Sequence, residues 1–151
     1  STSTYPSSYP MDALSTTNLF GLSESQQMIA DMVRDYAQDV VASRAKSIDA
    51  EQRFPTETFS EMAEMGLMGL VIPEEYGGGG ADYLSYCLVI EQLAKVCAST
   101  ALGLAAHTSL VCLPITLFGN EAQKKTYLPR LAAGELGAYG LTEPNAGSDA
   151  G

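Results

Sequence analysis

The sequence predicts an all-α fold, an N-terminal bundle of about five helices, followed by the first strand of a β-barrel domain that is otherwise absent. Three observations predict this. Apolar residues recur at helical spacing from about residue 23 to residue 133, capping residues or glycines separate the periodic segments, and the period becomes strand-like only after Gly134. The 151 residues match one ordinary domain, and a hydrophobic fraction of 46% is enough to form a core.

The first two helices have clear start signals. Ser23 and Gln26 have the spacing of a capping box, and the apolar pairs that follow predict a helix fading near residues 46–49. The run 54–56 opens a second helix, which Gly66 and Gly69 close. We expect residues 70–73 to be extended. The glycines at 77–80 lack the Lys and Ser or Thr of a phosphate-binding loop, so they predict a flexible turn.

Three further helices follow. Asp82 is the predicted cap of the third, the fourth runs from about 99 to 118 with a possible kink at Pro114, and the fifth runs from 121 to about 133. Its predicted inward residues are Tyr127, Leu128 and Leu131. Residues 96–120 carry no Asp, Glu, Lys or Arg and could span a bilayer by length. Because the stretch contains several hydroxyls and has no basic flank, we interpret it as a central helix buried on all sides, without membrane insertion.

In the last segment the spacing of apolar residues changes from the helical to the strand period. Leu136, Ala138, Tyr139 and Leu141 predict a strand that leads into a Pro/Gly/Ser loop. A buried strand needs a partner, so the chain is interpreted as cut from a longer one, with a helical domain at 22–134 and the start of a second domain at 135–151. Residues 1–21 are predicted to be a disordered leader without the features of a signal peptide.

Charge and cysteine usage exclude several classes of function. A net charge of −10 argues against nucleic-acid binding and against an anionic membrane surface. The lone His107 is predicted to be neutral and hydrogen-bonded rather than catalytic, and we expect Glu74 and Glu75 to be solvated. No usual ligand spacing predicts a metal site. Three cysteines in apolar surroundings are predicted to be buried thiols: Cys87, Cys97 and Cys112.

The C-terminal loop offers hydroxyls at Thr142 and Ser148, and turns whose backbone amides are free to bind a ligand. On composition alone, an ordinary capped turn is the better interpretation. However, residues 141–151, Leu-Thr-Glu-Pro-Asn-Ala-Gly-Ser-Asp-Ala-Gly, resemble the first signature of the acyl-CoA dehydrogenase family. Residues 71–78, 91–95 and 118–128 resemble family segments in the same order. The resemblance covers about residues 22–151 and is closest to short-chain, butyryl-type members, from residues 106–110.

The resemblance implies FAD-dependent oxidation of an acyl-CoA to the trans-2-enoyl-CoA, with electrons passed to electron-transfer flavoprotein. It also implies a homotetramer in the bacterial cytoplasm or the mitochondrial matrix. The family's catalytic glutamate and its second flavin segment match nothing in these 151 residues, so no catalytic residue is predicted and the chain alone is expected to be inactive.

The same resemblance assigns binding residues. Thr142 would contact the flavin ring, Ser148 would contact the acyl-CoA, and one face of the fourth helix would line the acyl pocket through Leu102, Gly103, Ala106 and Leu110. The predicted FAD-lining residues are Tyr139, Gly140, Leu141, Thr142, Glu143, Pro144, Asn145, Ala146, Gly147 and Ser148. Two alternatives stay open: an acyl-CoA oxidase-like relative, and a helical interaction module that binds no flavin.

Overall fold

The structure, a computed structural model, describes residues 21–148. The predicted leader at 1–21 therefore lies outside the described residues except for Gly21, and so do residues 149–151 of the signature segment. The α-helices are α1 (Glu24–Tyr36), α2 (Ala42–Glu51), α3 (Thr56–Glu64), α4 (Tyr83–Ala94), α5 (Ala98–His107), α6 (Leu113–Phe118) and α7 (Glu121–Ala132).

These helices form five continuous stretches, as predicted. A π-helical turn at Ala37–Val41 joins α1 to α2, and a second at Thr108–Cys112 joins α5 to α6. Short 3-10 helices lie at Leu67–Gly69 and Glu74–Tyr76. The irregular turn in the fourth stretch lies just before Pro114, where a kink was expected. Proline has no N–H to bond the carbonyl one turn back, and a π turn accommodates such a defect.

Helix starts are set by side-chain caps. The Ser23 hydroxyl accepts from Gln26 N at 3.2 Å, which confirms the predicted capping box. Asp82 Oδ1 accepts from Ser85 N at 2.7 Å at the start of α4, also as predicted. Asn120 forms a second capping box with Gln123 at the start of α7. Each cap pairs backbone N–H groups that a helix leaves without an internal partner.

Two apolar cores hold the bundle together. The larger joins α1, α3, α4 and α5 and includes the fully buried Met62, Val89 and Leu93. The smaller joins α7 to the second π turn and to residues 72–76, around Cys112 and Leu128. The cores meet along the fourth helical stretch, which therefore connects α7 and the segment after it to the rest of the domain.

The connection between α3 and α4 differs from the prediction. Residues 70–73 are a turn, not an extended run, since Leu70 has helical angles of φ −51° and ψ −44°. The glycine run lies in a turn between elements, as predicted, but backbone hydrogen bonds tie it to residues 69–72. Gly79 N donates to Gly69 O at 3.0 Å, and Gly80 N donates to Ile72 O at 2.9 Å. A Cβ atom on Gly78 would lie 2.1 Å from Ile72 O, so close backbone packing requires glycine there.

The fourth helical stretch, Ala98–Phe118, is not buried on all sides. Its length and mean hydropathy of 1.7 would allow it to cross a membrane, and only 28% of its most apolar window is buried. Ala101, Leu104 and Cys112 face the cores, whereas the opposite face is exposed. The pattern was misread because both faces are apolar, which removes the amphipathic contrast that normally identifies the solvent side.

Other predictions about exposure were also wrong. Tyr127 is exposed on α7, although Leu128 and Leu131 are buried as expected. Cys87 is exposed on α4, while Cys97 and Cys112 are buried. The predicted strand over residues 136–141 is not formed: among the described residues the one pairing is an isolated bridge between Glu143 and Ala146. A strand requires a neighbouring strand to bond its backbone, and residues 21–148 provide none here.

Candidate binding site at the C-terminal segment

The predicted cofactor segment, residues 139–148, lies on the surface of the helical domain. Every residue in it is exposed except Ala146, which is half-buried. A tight turn organises its centre: Glu143 N donates to Ala146 O at 2.8 Å, and Ala146 N donates to Glu143 O at 3.3 Å, around Pro144 and Asn145. The turn leaves the flanking backbone groups open to an external ligand.

The two hydroxyls predicted to bind ligands are free. Within residues 21–148, neither Thr142 nor Ser148 makes a side-chain hydrogen bond, and both are exposed. Thr142 is preceded by the exposed apolar side chains of Tyr139 and Leu141. The segment thus presents apolar surface beside unpaired hydroxyls, the combination that suits a ligand with a flat apolar body and a polar edge.

The segment is joined to the helical domain through His107. This side chain is fully buried at the end of α5, and its ring bonds two distant parts of the backbone. Gly137 N donates to His107 Nδ1 at 3.0 Å, and His107 Nε2 lies 3.0 Å from Met68 O. Cys112 Sγ lies 3.3 Å from the same Nε2. The expectation of a neutral, hydrogen-bonded histidine is confirmed, but its partners are not the neighbouring hydroxyls that the sequence offered.

Burial keeps both His107 and Cys112 in their neutral forms. It lowers the pKa of His107 below its ordinary value, although the bond with the Met68 carbonyl acts in the opposite direction. Burial also raises the pKa of the Cys112 thiol to about 12. A neutral imidazole with both nitrogens bonded to partners, beside a protonated thiol, has no free atom for acid–base or nucleophilic work. Its role is to hold the backbone.

The predicted acyl-binding face of the fourth helical stretch is partly open. Leu102 is 70% exposed and Leu110 is 45% exposed, while Gly103 and Ala106 are half-buried between them. Gly103 also has a packing role, because a Cβ atom there would lie 2.6 Å from Phe59 Cζ. Both interpretations of the small residues therefore have support: an open apolar face for a ligand, and close packing between helices.

A groove of about 390 Å³ lies next to Phe59, between α3 and residues 133–136. Phe54 and Phe59 stack in its wall with ring centroids 4.7 Å apart, and Leu136 also lines it. None of these three residues was predicted as a site residue, because separated aromatic residues in sequence carry no spacing signal. The groove brings the start of the C-terminal segment close to α3.

A separate polar cluster joins α2 to α3. Both terminal nitrogens of Arg44 bond the carboxylate of Glu61, at 2.8 and 2.9 Å, and the Tyr36 hydroxyl donates to Glu61 Oε2 at 2.8 Å. The bonds from Arg44 lower the pKa of Glu61, whereas burial and the bond to Glu61 raise the pKa of Tyr36. A carboxylate held ionised by a bidentate guanidinium is a poor proton acceptor, so this cluster supports the packing of the helices rather than a reaction.

Sequence comparisons place the chain among known proteins. A family described as "Acyl-CoA dehydrogenase, N-terminal domain" matches residues 23–135. The chain is 51% identical over 133 residues to a probable acyl-CoA dehydrogenase of Bacillus subtilis, and 48% identical over 133 residues to a short-chain specific acyl-CoA dehydrogenase of Clostridium acetobutylicum. Each match covers 87% of this chain and 35% of the relative. The chain thus spans about a third of the length of these relatives.

Solved structures share the fold. A chain from the structure of the electron transferring flavoprotein of Acidaminococcus fermentans matches with a TM-score of 0.82 and 45% identity, covering 87% of this chain and 35% of that one. An acyl-CoA dehydrogenase from Bacillus anthracis, solved in complex with FAD, matches with a TM-score of 0.79 and 41% identity. That match covers 85% of this chain and 23% of the other.

Proposed function

The chain belongs to the acyl-CoA dehydrogenase family, whose N-terminal domain it contains, and we propose that the protein built on it oxidises a short-chain acyl-CoA to the trans-2-enoyl-CoA with FAD as cofactor. The observation that carries this proposal is the exposed segment 139–148, with its free Thr142 and Ser148 hydroxyls, at the end of a domain of this family. The family's catalytic carboxylate would come from outside these 151 residues.

The segment fits one edge of a flavin. Thr142 would donate to a polar atom of the ring edge, and Tyr139 and Leu141 would cover the apolar part of the ring. When bound, FAD supplies the hydride acceptor for the reaction. The residues of this chain bind and orient it and exclude water from one side, and we expect the other side to be covered by the remainder of the protein. Support comes from the relative solved in complex with FAD.

The open face of the fourth helical stretch would receive the acyl chain. Leu102 and Leu110 are large apolar side chains exposed on the surface of the described domain, which is unfavourable unless something covers them. We propose that the acyl chain and the remainder of the protein cover this face, rather than a lipid bilayer. The short-chain specificity of the Clostridium relative supports a small acyl group. Ser148 would contact the CoA part of the same substrate.

The remaining parts of the proposal concern partners. The reduced flavin would pass its electrons to electron-transfer flavoprotein, and the similarity to a chain in the Acidaminococcus structure supports this partner. The full protein would act as a homotetramer in the cytoplasm of a bacterium or in the mitochondrial matrix.

The test uses the full-length protein. We expect it to purify with flavin absorbance and to form the 2-enoyl-CoA from butyryl-CoA, with electron-transfer flavoprotein as a better acceptor than oxygen. A colourless protein that cannot be loaded with FAD would indicate the interaction module instead. A preference for oxygen would indicate an oxidase-like relative.

Two sets of variants test the residue assignments. Ser148→Ala should raise the Kd of acyl-CoA by roughly tenfold or more, since a hydrogen bond to a charged group is worth about 1.5–3 kcal/mol, while the limiting rate of flavin reduction changes less. The exposed Ser47 on α2, away from the proposed ligand contacts, provides the Ser→Ala control, since its hydroxyl bonds only the backbone of its own helix. An unchanged Kd would remove Ser148 from the substrate site.

Leu110→Phe and Ala106→Glu should reduce kcat/KM more for longer acyl chains than for shorter ones, because each reduces the room along the helix or adds an unpaired charge there. Leu84→Phe on α4 is the control, since Leu84 is 48% exposed and so matches Leu110 in exposure. A uniform loss that follows the melting temperature would mean that this face serves packing alone.

A further inference from the structure

We propose that His107 is a positioning residue for the binding segment: it fixes the backbone at Gly137 and thereby sets where residues 139–148 leave the helical domain. This inference rests on the proposed function, because it concerns how the binding loop of that site is held. His107 does not touch the candidate ligand residues. Its effect passes through the single hydrogen bond to Gly137 N.

The hydrogen bonds around the ring require one form of the histidine. The Gly137 N–H can only donate, so His107 Nδ1 must be unprotonated and accept. The Met68 carbonyl can only accept, so Nε2 must carry the proton and donate. The neutral Nε2–H tautomer satisfies both backbone groups. A protonated ring would place an N–H group against the N–H of Gly137 and break that bond.

Few other contacts could hold the backbone in this segment. From residue 136 to residue 142, the bond from Gly137 is the one hydrogen bond to the helical domain among the described residues. Before it, Glu135 N bonds Arg130 O at the end of α7. After it, the backbone of the described residues up to 148 bonds only within the turn at 143–146. Thr142, the proposed flavin contact, follows five residues after Gly137.

The backbone at Gly137 is also in close contact with the helix. A Cβ atom there would lie 2.7 Å from Val111 Cγ1 and 2.8 Å from Val111 Cβ, so any side chain would push the segment away from the second π turn. The histidine and the glycine therefore act together. The glycine allows the approach, and the ring nitrogen holds the chain there.

Two substitutions separate the two ring bonds. In His107→Asn the amide oxygen takes the place of Nδ1, so the bond from Gly137 can form while the bond to Met68 is lost. In His107→Gln the amide nitrogen takes the place of Nε2, so the bond to Met68 is kept while Gly137 loses its acceptor. Both variants are neutral and both lose one buried bond, so they should lower the melting temperature to a similar extent.

The experiment compares these variants in the full-length protein. We expect His107→Gln to speed hydrogen exchange in peptides covering 135–148, to weaken FAD binding and to raise the KM for butyryl-CoA by about tenfold more than His107→Asn, the factor expected for one lost hydrogen bond. Gly137→Ala, which leaves His107 intact, should have the same effect because its Cβ would meet Val111. The control is Ala138→Ser, at the exposed neighbouring residue outside the proposed ligand contacts.

The outcomes separate the two proposals. Equal exchange, FAD affinity and KM in His107→Asn and His107→Gln would overturn the positioning role, as would faster exchange in His107→Gln without a change in FAD affinity or KM. If the histidine variants do not fold, the comparison of Gly137→Ala with Ala138→Ser decides by the same measurements. A wild-type protein that neither binds FAD nor oxidises acyl-CoA would overturn the proposed function, whereas the exchange data would still show whether His107 fixes the segment at Gly137.

Discussion

The helical domain is stabilised by contacts within itself, whereas the segment after it makes few such contacts. In residues 23–134 the backbone bonds are made within helices, the helix starts are capped by nearby side chains, and two cores bury the apolar faces. In residues 135–148 there is no regular structure, nearly all side chains are exposed, and one hydrogen bond to His107 holds the start of the segment at Gly137.

The difference shows which part of the chain depends on the rest of the protein. A helix satisfies its backbone from residues a few positions away, so its sequence is enough to form it once one face is covered. A strand or a ligand loop takes its partners from elsewhere. The shape of residues 135–148 therefore depends on contacts from outside the segment. Matched substitutions in the two regions can test this contrast in the 151-residue chain.

The largest difference should appear between a core side chain and a segment side chain. Met62→Ala removes a fully buried residue and should destabilise the chain by about 2–5 kcal/mol. Leu141→Ala removes a side chain that is 47% exposed and should cost less than about 0.5 kcal/mol. Urea unfolding measures both. A similar loss in the two variants would mean that the segment packs on the domain more tightly than its exposure indicates.

The connection between the regions should depend on pH. Burial lowers the pKa of His107 in the folded chain below its unfolded value near 6.5. The unfolded state therefore takes up the proton first, and the stability contribution is complete above about pH 6.5 and is lost as the pH falls towards the folded pKa. One proton limits the slope to about 1.4 kcal/mol per pH unit.

Thermal unfolding between pH 7 and pH 5 measures this slope, and His107→Asn should flatten it. Hydrogen bonds from arginines lower the pKa values of Glu61 and Glu57. Their contribution to stability is therefore lost only at lower pH, as the pH falls through their folded pKa values. A slope that is unchanged in His107→Asn would assign the loss of stability to another group.

Glycine-to-alanine substitutions compare how tightly the two regions are packed. Gly103→Ala places a methyl group 2.6 Å from the buried Phe59 ring, and its overpacking cost of about 1–3 kcal/mol should exceed the gain in helix propensity of up to about 1 kcal/mol. Subtracting a gain of about 1 kcal/mol leaves a net loss of up to about 2 kcal/mol. Gly140→Ala meets open space in the segment and should be neutral. Increased stability in Gly103→Ala would show that the Phe59 ring can move aside freely.

The smallest expected effect concerns two asparagines. Asn120→Ala removes the side-chain acceptor that caps α7 and should cost about 1 kcal/mol. Asn145→Ala lies in a turn closed by backbone bonds between Glu143 and Ala146, so it should change the free energy of unfolding by less than about 0.5 kcal/mol. Equal losses in denaturant unfolding would mean that the Asn145 side chain also supports its turn.

Particular residues show how far prediction from sequence reached. The capping box at Ser23 and the cap at Asp82 could be predicted because a cap involves only a few neighbouring residues. The neutral state of His107 was also predicted, from the lack of an acid near it in sequence. Its partners were not, because Met68 and Gly137 lie 39 and 30 residues away and contribute only backbone atoms, which leave no trace in side-chain identity.

The same limit explains the errors on burial. Every turn of the fourth helical stretch is apolar, so its sequence could not say which face meets the cores and which stays open. Cys87 was predicted to be buried for the same reason, since α4 is also apolar on most of its surface. Tyr127 was predicted to face inward with its neighbour Leu128 because both are apolar, but only Leu128 is buried. The glycines at 77–80 were predicted to give a flexible turn. The sequence did not show that position 78 must be glycine because a Cβ atom there would clash with the Ile72 carbonyl.

The sequence by itself determined the helices, their starts and the family to which the chain belongs, because these depend on neighbouring residues and on a contiguous signature. Tertiary structure alone decided which face of the long apolar helix is open, why Gly103 and Gly78 must be small, and how His107 holds the start of the binding segment. Those features depend on distances between residues far apart in the chain, and such distances are set only when the helices pack.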